Sequence, residues 1–320
     1  MSLSETAKRV IERHFFVAGF LHKARVPQGP RHFSVYDEAS GRLWVHDDSP
    51  RKSGAQHLYF YSIHSVTGTL TCSHPIKLWD LMRTLTPRET ARLQGFPDVF
   101  ITPDLHYNQL LGNAVSVPCA AHACSLVLDA SERITYIDMC AGIGGFSYAV
   151  REVCPHVVGV GFSEIKQDAV RCFSANFPSV PALGDATQVD SWPTCDLLTA
   201  GFPCQPFSRA THPRHRACHE DVDFFKVVLH ALKKTSAKRF VFENVMALQT
   251  VGVHTWTTLQ NMLKSMGFAI TYRVLDSVDF GLPQHRKRLY IVGRRDGVVL
   301  RPWGACRLGR RATLKDIIDK

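Results

Sequence analysis

From Ile134 onward, short apolar runs alternate with longer amphipathic stretches. Ile134 to Ile137, Val157 to Phe162, Cys195 to Ala200, Arg239 to Phe242, Ala269 to Leu275 and Leu289 to Val292 read as strands, and helices fit between most of them. That alternation predicts an α/β fold with a doubly wound, mostly parallel sheet. Residues 1 to 75 differ in texture. Ser4 to Arg13 fits a short capped helix, and Phe15 to Phe20, Phe33 to Tyr36, Leu43 to Val45 and Leu58 to Ile63 fit strands. Ala39-Ser-Gly41 reads as a hairpin turn, so this part predicts a smaller β-rich unit. Residues 83 to 129 read as helical. Thr86-Pro-Arg-Glu89 is a capping box with Pro at the first helical position, and this helix should end by Gly95. Leu110-Leu-Gly-Asn113-Ala-Val115-Ser-Val-Pro118 leads into a second helix, from near Pro118 to near Leu128. The tail from Arg301 is basic and ends in an amphipathic stretch, Thr313 to Ile318.

Composition narrows the class. At 45% hydrophobic, a chain of 320 residues can bury a sizeable core. Lys and Arg number 38 against 28 Asp and Glu, a formal charge of +10, which suits a polyanionic partner. In residues 1 to 75, basic side chains are interleaved with aromatics: Arg31, His32, Phe33, Tyr36, Arg42, Trp44, Arg51 and Lys52. Such mixing suits nucleic-acid contact and equally an ordinary small sheet. The 10 Cys form no paired C-x-x-C pattern, so no metal site is expected and the thiols read as reduced. The charged start lacks an apolar signal-peptide core, and no run approaches a membrane span. A soluble, intracellular, monomeric protein that is not secreted is expected.

Two loops carry candidate chemistry. Asp138-Met-Cys140-Ala141-Gly142-Ile143-Gly144-Gly145 follows the first strand of the alternating region, where small residues let a ligand approach the backbone at a helix N-terminus. Glu164, at the end of the next strand, stands where an acid would bond ribose hydroxyls. The spacing is not G-x-G-x-x-G, which disfavours a dinucleotide. The second loop is Gly201-Phe-Pro203-Cys204-Gln-Pro-Phe-Ser208. A Cys between two prolines has little backbone freedom, which suits an aimed nucleophile. Alone, such a Cys is more often a small core residue.

The loop around Cys204, followed by Glu243-Asn244-Val245 and Gln284-His-Arg286-Lys-Arg288, resembles the catalytic set of the cytosine-5 methyltransferases, and the Gly loop resembles their cofactor motif. The resemblance implies an S-adenosylmethionine-dependent, Rossmann-like methyltransferase fold. It implies that Cys140, Ala141, Gly142, Ile143 and Gly145 line the methionine side of the cofactor, with Pro203 also lining the site. Glu164 would hold the ribose, Ser163 and Ile165 would flank the adenine, and of the next motif, Asp185 and Ala186, the Asp would meet the adenine amino group. Phe is common in the family at the position of Cys140, so a ring contact is lost here. Catalysis is implied for four residues. Cys204 would add to carbon 6 of a flipped-out cytosine, and Glu243 would donate to ring nitrogen 3. Arg286 and Arg288 would favour the thiolate or bind a phosphate. Asn244 would fix its loop.

In most of the family the Gly loop comes first. Here Arg88 to Pro97 and Gly112-Asn113-Ala-Val115 resemble the family's last two motifs yet precede it, so the order reads as circularly permuted. Asn113 and Val115 would still reach the cofactor. Thr67-Gly-Thr-Leu-Thr71 resembles a stretch that often meets DNA. The expected division is a catalytic domain over 76–300, comprising 83–129 and 134–300, and a target-recognition domain over 1–75 plus 301–320, with Met1 and Lys320 on one lobe. The basic, His-rich stretch Arg209 to His219 occupies the place of a closing loop, and its histidines imply activity that rises at mildly acid pH, to be checked by DNA affinity at pH 6 and pH 8. It departs from the family's glycines and Arg-Gly pair, with Glu220-Asp-Val-Asp223 instead. The implied activity is methylation of carbon 5 of cytosine in duplex DNA, in a bacterial cytoplasm or, in a eukaryote, the nucleus. A transfer-RNA cytosine-5 methyltransferase and an inactive DNA-binding relative remain alternatives. The recognised site and any restriction partner are not encoded in these motifs.

Overall fold

The structure, a computed structural model, describes residues 32–37, 42–47, 56–72, 75–78, 80–81, 83–202, 224–305 and 311–319. The expected helix at Ser4 to Arg13, the strand at Phe15 to Phe20, Pro203 and Cys204, the loop Arg209 to His219, Met1 and Lys320 lie outside the described residues.

Among the described residues there are two sheets. The smaller has the order β1-β2-β3-β4-β5, from β1 (His32–Asp37), β2 (Arg42–Asp47), β3 (Gln56–Tyr61), β4 (Lys77–Leu78) and β5 (Arg83–Thr84). β1 and β2 pair antiparallel with Asp37 opposite Arg42, as the turn residues between them predict. Three helices follow: α1 (Pro87–Leu93), α2 (Tyr107–Asn113) and α3 (Val117–Cys124). The Thr86 capping box is formed. The Thr86 hydroxyl accepts from Glu89 N–H at 3.2 Å, and the Glu89 carboxylate accepts from Thr86 N–H at 2.8 Å. Arg83 grips the same buried carboxylate at 2.6 and 2.7 Å.

The larger sheet has the order β11-β12-β10-β9-β6-β7-β8. Its strands are β6 (Thr135–Met139), β7 (Val158–Ser163), β8 (Ala182–Gly184), β9 (Leu197–Gly201), β10 (Arg239–Asn244), β11 (Ala269–Asp276) and β12 (Lys287–Arg294). β12 is antiparallel to both neighbours and the other pairs are parallel. Helices α4 (Gly145–Val153), α5 (Gln167–Asn176), α6 (Phe224–Lys234), α7 (Ala247–Thr250) and α8 (Val253–Ser265) link the strands. One core layer joins α1 to α4 to the sheet, and a second sits under α6 and α8. The sequence runs outward from β6 to β8 and then restarts at β9 on the other side of β6. The carboxyl ends of β6 and β9 therefore flank the topological switch point, where open α/β sheets bind ligands.

Several elements depart from the sequence reading. The Leu110-Leu-Gly-Asn113 run is itself helical rather than a lead-in. Gly112 is admitted there because the backbone of Thr71 and Cys72 packs against it: a Cβ would stand 2.8 Å from the Thr71 carbonyl carbon. The helix after Pro118 stops at Cys124, and the chain turns so that Leu126, Val127 and Leu128 fall into the core. Strand β8 is too short to register as a pattern, and its Leu183 packs where Gly161 leaves room. Residues 311–319 return to the body of the chain. Leu314 N–H donates to Ser65 O at 3.0 Å, and Asp319 N–H to Glu89 Oε1 at 3.1 Å. No helix among the described residues is long and apolar enough to cross a membrane.

Candidate active site

The Gly loop leaves β6 at Met139 and turns through two left-handed residues, Cys140 (φ 53°) and Gly142 (φ 54°), before Gly144 (φ 90°) caps α4. It is tied to the end of β7. Ala141 N–H donates to Ser163 O at 3.0 Å, and Gly142 N–H to Glu164 Oε2 at 2.9 Å. The other Glu164 oxygen accepts from Ile165 and Lys166 N–H, each at 2.9 Å. Glu164 N–H in turn donates to Gly184 O at 3.1 Å, which brings Asp185 and Ala186 beside it. Ile165 is largely exposed. Asp185 Oδ1 accepts from Thr187 N–H and Oγ1, holding the turn after β8.

The three glycines of the loop do different things. A Cβ on Gly144 would strike Phe177 at 2.4 Å, and one on Gly145 would strike Val115 Cγ2 at 2.7 Å. These two permit packing. A Cβ on Gly142 would meet nothing within 4 Å, so bare backbone faces open space there. That cradle, with an acid at its rim and a helix N-terminus at its base, fits an adenosine-bearing ligand.

Below the loop, Asp138 is fully buried. Its oxygens accept from Ser147 Oγ and Thr199 Oγ1, each at 2.8 Å. Burial pushes its carboxyl up to about 7, against the opposing pull of these hydroxyls. The Cys140 thiol is also pushed up, by burial and then by Glu164 and Asp138. It is therefore held as neutral SH.

The second half of the site lies one strand over. Met139 on β6 pairs with Ala200 on β9, and Gly201 pairs with Glu243 on β10. The cofactor loop, the end of β9 and Glu243 thus stand side by side along one sheet edge. Glu243 Oε1 meets Arg288 Nε at 3.1 Å, and Oε2 lies 3.9 Å from where a Gly201 Cβ would be. Glu243 is raised above the usual carboxylate range, chiefly by burial, with Arg288 and then Arg286 opposing. Asn244 fixes the neighbouring loop by donating from Nδ2 to Phe202 O at 3.4 Å and accepting from Val245 N–H at 2.9 Å. Val115 reaches both halves, touching the positions of Gly145 and Gly201.

Residues 31–125 and 134–314 match the family of C-5 cytosine-specific DNA methylases. The chain belongs to that family. The type II methyltransferase M.BsuFI of Bacillus subtilis is 38% identical over 164 residues, 50% of this chain and 39% of that protein. M.BanI of Aneurinibacillus aneurinilyticus is 36% identical over 166 residues, 50% of this chain and 38% of that one. The orphan methyltransferase M.SPRI of Bacillus phage SPR is 35% identical over 172 residues, 52% of this chain and 39% of that one. The chain spans about two-fifths of the length of these relatives.

Within the candidate site Arg286 is placed differently from Arg288, although its charge still acts on Glu243. It is buried, and its terminal nitrogens donate to the carbonyl oxygens of Leu70 (3.2 Å), Gly112 (3.0 Å) and Ala114 (2.8 Å). Burial, then Arg288, lowers it to about 9. A phosphate-binding role does not fit that geometry. Asn113 is exposed beside the Gly112 turn, and its Oδ1 accepts from the Cys72 thiol at 2.8 Å. Sequence reasoning missed Ser147 and Thr199 as partners of Asp138, and it gave Gln284 no role. Their types carry no signal without the fold, since each bond joins residues on different elements.

Proposed function

We propose that this chain transfers a methyl group from S-adenosylmethionine to carbon 5 of a cytosine extruded from duplex DNA. The observation that carries the reading is the row along the sheet edge: Gly142 open to a ligand, Gly201 leading to the Cys204 loop, and Glu243 paired with Arg288. Bound S-adenosylmethionine supplies an electrophilic methyl group. Ala141, Gly142, Ile143, Gly145, Ser163, Glu164, Ile165, Asp185 and Ala186, with Asn113 and Val115, would hold it. Pro203 and Cys204 follow Gly201 by two and three residues.

Carbon 5 of cytosine is a poor nucleophile. The Cys204 thiolate would form a bond to carbon 6, and the ring electrons would make carbon 5 nucleophilic towards the methyl group that bound S-adenosylmethionine would supply, its sulfur–methyl bond breaking to leave S-adenosylhomocysteine. Burial favours the protonated form of Glu243, which would donate to ring nitrogen 3 and neutralise the charge made by that attack. Arg288 fixes the carboxyl group. Loss of the carbon 5 proton to water then expels the thiolate, and return of the nitrogen 3 proton to Glu243 restores the ring. Extrusion of the base costs a few kcal/mol.

The segment carrying Asn113 and Val115 precedes the Gly loop in sequence yet packs on α4, which supports a permuted motif order. Permutation is tolerated where chain ends lie close. The proposed division keeps 76–300 as the catalytic unit and assigns recognition to 1–75 with 301–320, with β4 and β5 of the smaller sheet contributed from the catalytic side of that boundary.

Radiolabelled methyl transfer, with duplex DNA and transfer RNA offered side by side, tests the reading. Label in DNA cytosine supports it. Label in RNA alone, or none, contradicts it.

A further inference from the structure

Gln284 and Arg286 belong to the motif that ends in Arg288, yet the side-chain hydrogen bonds of both run to other segments of the chain. Both are buried. Gln284 Oε1 accepts from Leu70 N–H at 2.8 Å, and its Nε2 donates to Leu93 O at 3.1 Å and Gln94 Oε1 at 3.2 Å. Gln94 Nε2 donates to Leu111 O at 2.6 Å, in the last turn of α2. Arg286 grips that same turn through Gly112 O and Ala114 O, and grips Leu70 O with its other arm. Main-chain bonds run alongside. Thr67 N–H donates to Pro283 O at 2.9 Å, and His285 N–H to Thr67 O at 2.8 Å.

Three segments therefore meet at one buried knot. One is Thr67 to Cys72, which leaves the smaller sheet. Another is the end of α2, which presents Asn113 and leads to Val115. The third is the approach to β12, which presents Arg288. Among the described residues, the Arg286 fork is the single side chain of the third segment with hydrogen bonds to both of the first two. An Arg with a planar fork satisfies several carbonyls at fixed angles, which a lysine cannot do. The carbonyls at the end of α2 also carry the negative end of the helix dipole, which suits a cation.

We infer that Arg286 and Gln284 are positioning residues: they act on the cofactor side of the site by holding the Gly112–Ala114 turn, and with it Asn113 and Val115. The Cys72 thiol completes the arrangement by donating to Asn113 Oδ1 from the segment that Arg286 holds at Leu70. The inference rests on the methyl-transfer reading, since Asn113 and Val115 matter only if a cofactor sits beside them.

The test compares the full chain with R286K and C72A. Affinity for S-adenosylhomocysteine is read by calorimetry. Thiol addition is read separately, as cofactor-free exchange of a carbon 5 tritium of cytosine in duplex DNA. For R286K the expected result is a dissociation constant raised at least tenfold, with exchange reduced less than threefold. For C72A a rise of about threefold is expected, with exchange as in the parent. Loss of exchange with unchanged cofactor affinity would overturn the inference and return Arg286 to the reacting base. Equal losses in both readouts would reduce it to a purely structural residue. If R286K does not fold, C72A decides: affinity within 1.5-fold of the parent overturns the inference. A parent chain that neither binds the cofactor product nor exchanges tritium overturns the methyl-transfer reading instead.

Discussion

Glu243 and Gly201 stand opposite one another across β10 and β9, and one carboxyl oxygen of Glu243 lies 3.9 Å from the place a Gly201 Cβ would take. That pairing puts a buried acid next to the loop that carries Cys204. Everything proposed about the chemistry depends on the acid being protonated when the base arrives.

The first prediction concerns pH. Burial raises Glu243, so its protonated form persists to higher pH than for a free carboxyl and is lost as pH rises through the raised value. Thiolate formation at Cys204 runs the other way. The single-turnover rate should therefore rise and then fall with pH. E243Q should lower the rate by about 10²- to 10⁴-fold and remove the alkaline fall. Rapid-quench methylation from pH 5.5 to pH 9 measures both.

A second prediction follows from Asp138. Its folded value of about 7 lies above the ordinary value of 3.8, so the native chain binds a proton that the unfolded chain has released between these limits. The stability this proton confers is full below pH ~4 and is lost as pH rises to about 7. Each unit is worth about 1.4 kcal/mol. D138N should flatten that segment of the stability curve. Denaturant unfolding at pH 5 and pH 8 checks it: the fall seen in the parent between the two should shrink by at least half.

The glycines of the loop should separate by substitution. G145A forces Val115 to move and should cost about 1–3 kcal/mol by overpacking. V115A should restore part of that loss, because it removes the clashing methyl group. G142A meets no neighbour, so its stability cost is only the left-handed backbone, about 1 kcal/mol. It should weaken cofactor binding more than G145A does per unit of stability lost. Thermal melts with and without S-adenosylhomocysteine resolve the two.

Arg288 and Glu243 should be coupled. R288M leaves the buried carboxyl without its counter-charge at 3.1 Å, so its carboxyl rises further and the fold loses stability. In a double-mutant cycle, E243Q with R288M should be less destabilising than the sum of the two changes by about 1 kcal/mol or more. Urea unfolding of the four proteins gives the coupling.

How far the sequence reaches is visible at this edge. The alternation after Ile134 placed the strands to within a few residues, because strand burial writes itself into local apolar runs. The Gly loop and Glu164 were legible for the same reason: a turn and a strand end are local features. Arg286 was not. Its spacing from Arg288 suggests two equivalent guanidinium groups, and only the packing of Leu70 and the α2 turn against it shows that one is buried. Asp138 read as the first residue of a loop, whereas hydroxyls 9 and 61 residues away make it a buried hub. The helix at Tyr107 was not separated from the helical reading of 83–129, because what admits Gly112 to it is the Thr71 backbone packed against that glycine, a contact no local pattern shows.

The most direct measurement is the mass of the protein after incubation with S-adenosylmethionine and a DNA duplex carrying 5-fluorocytosine, where the fluorine prevents release of the adduct. The parent should gain the mass of one modified strand plus a methyl group, and C204S should gain nothing. An unmodified parent, or an adduct that survives C204S, would contradict the account.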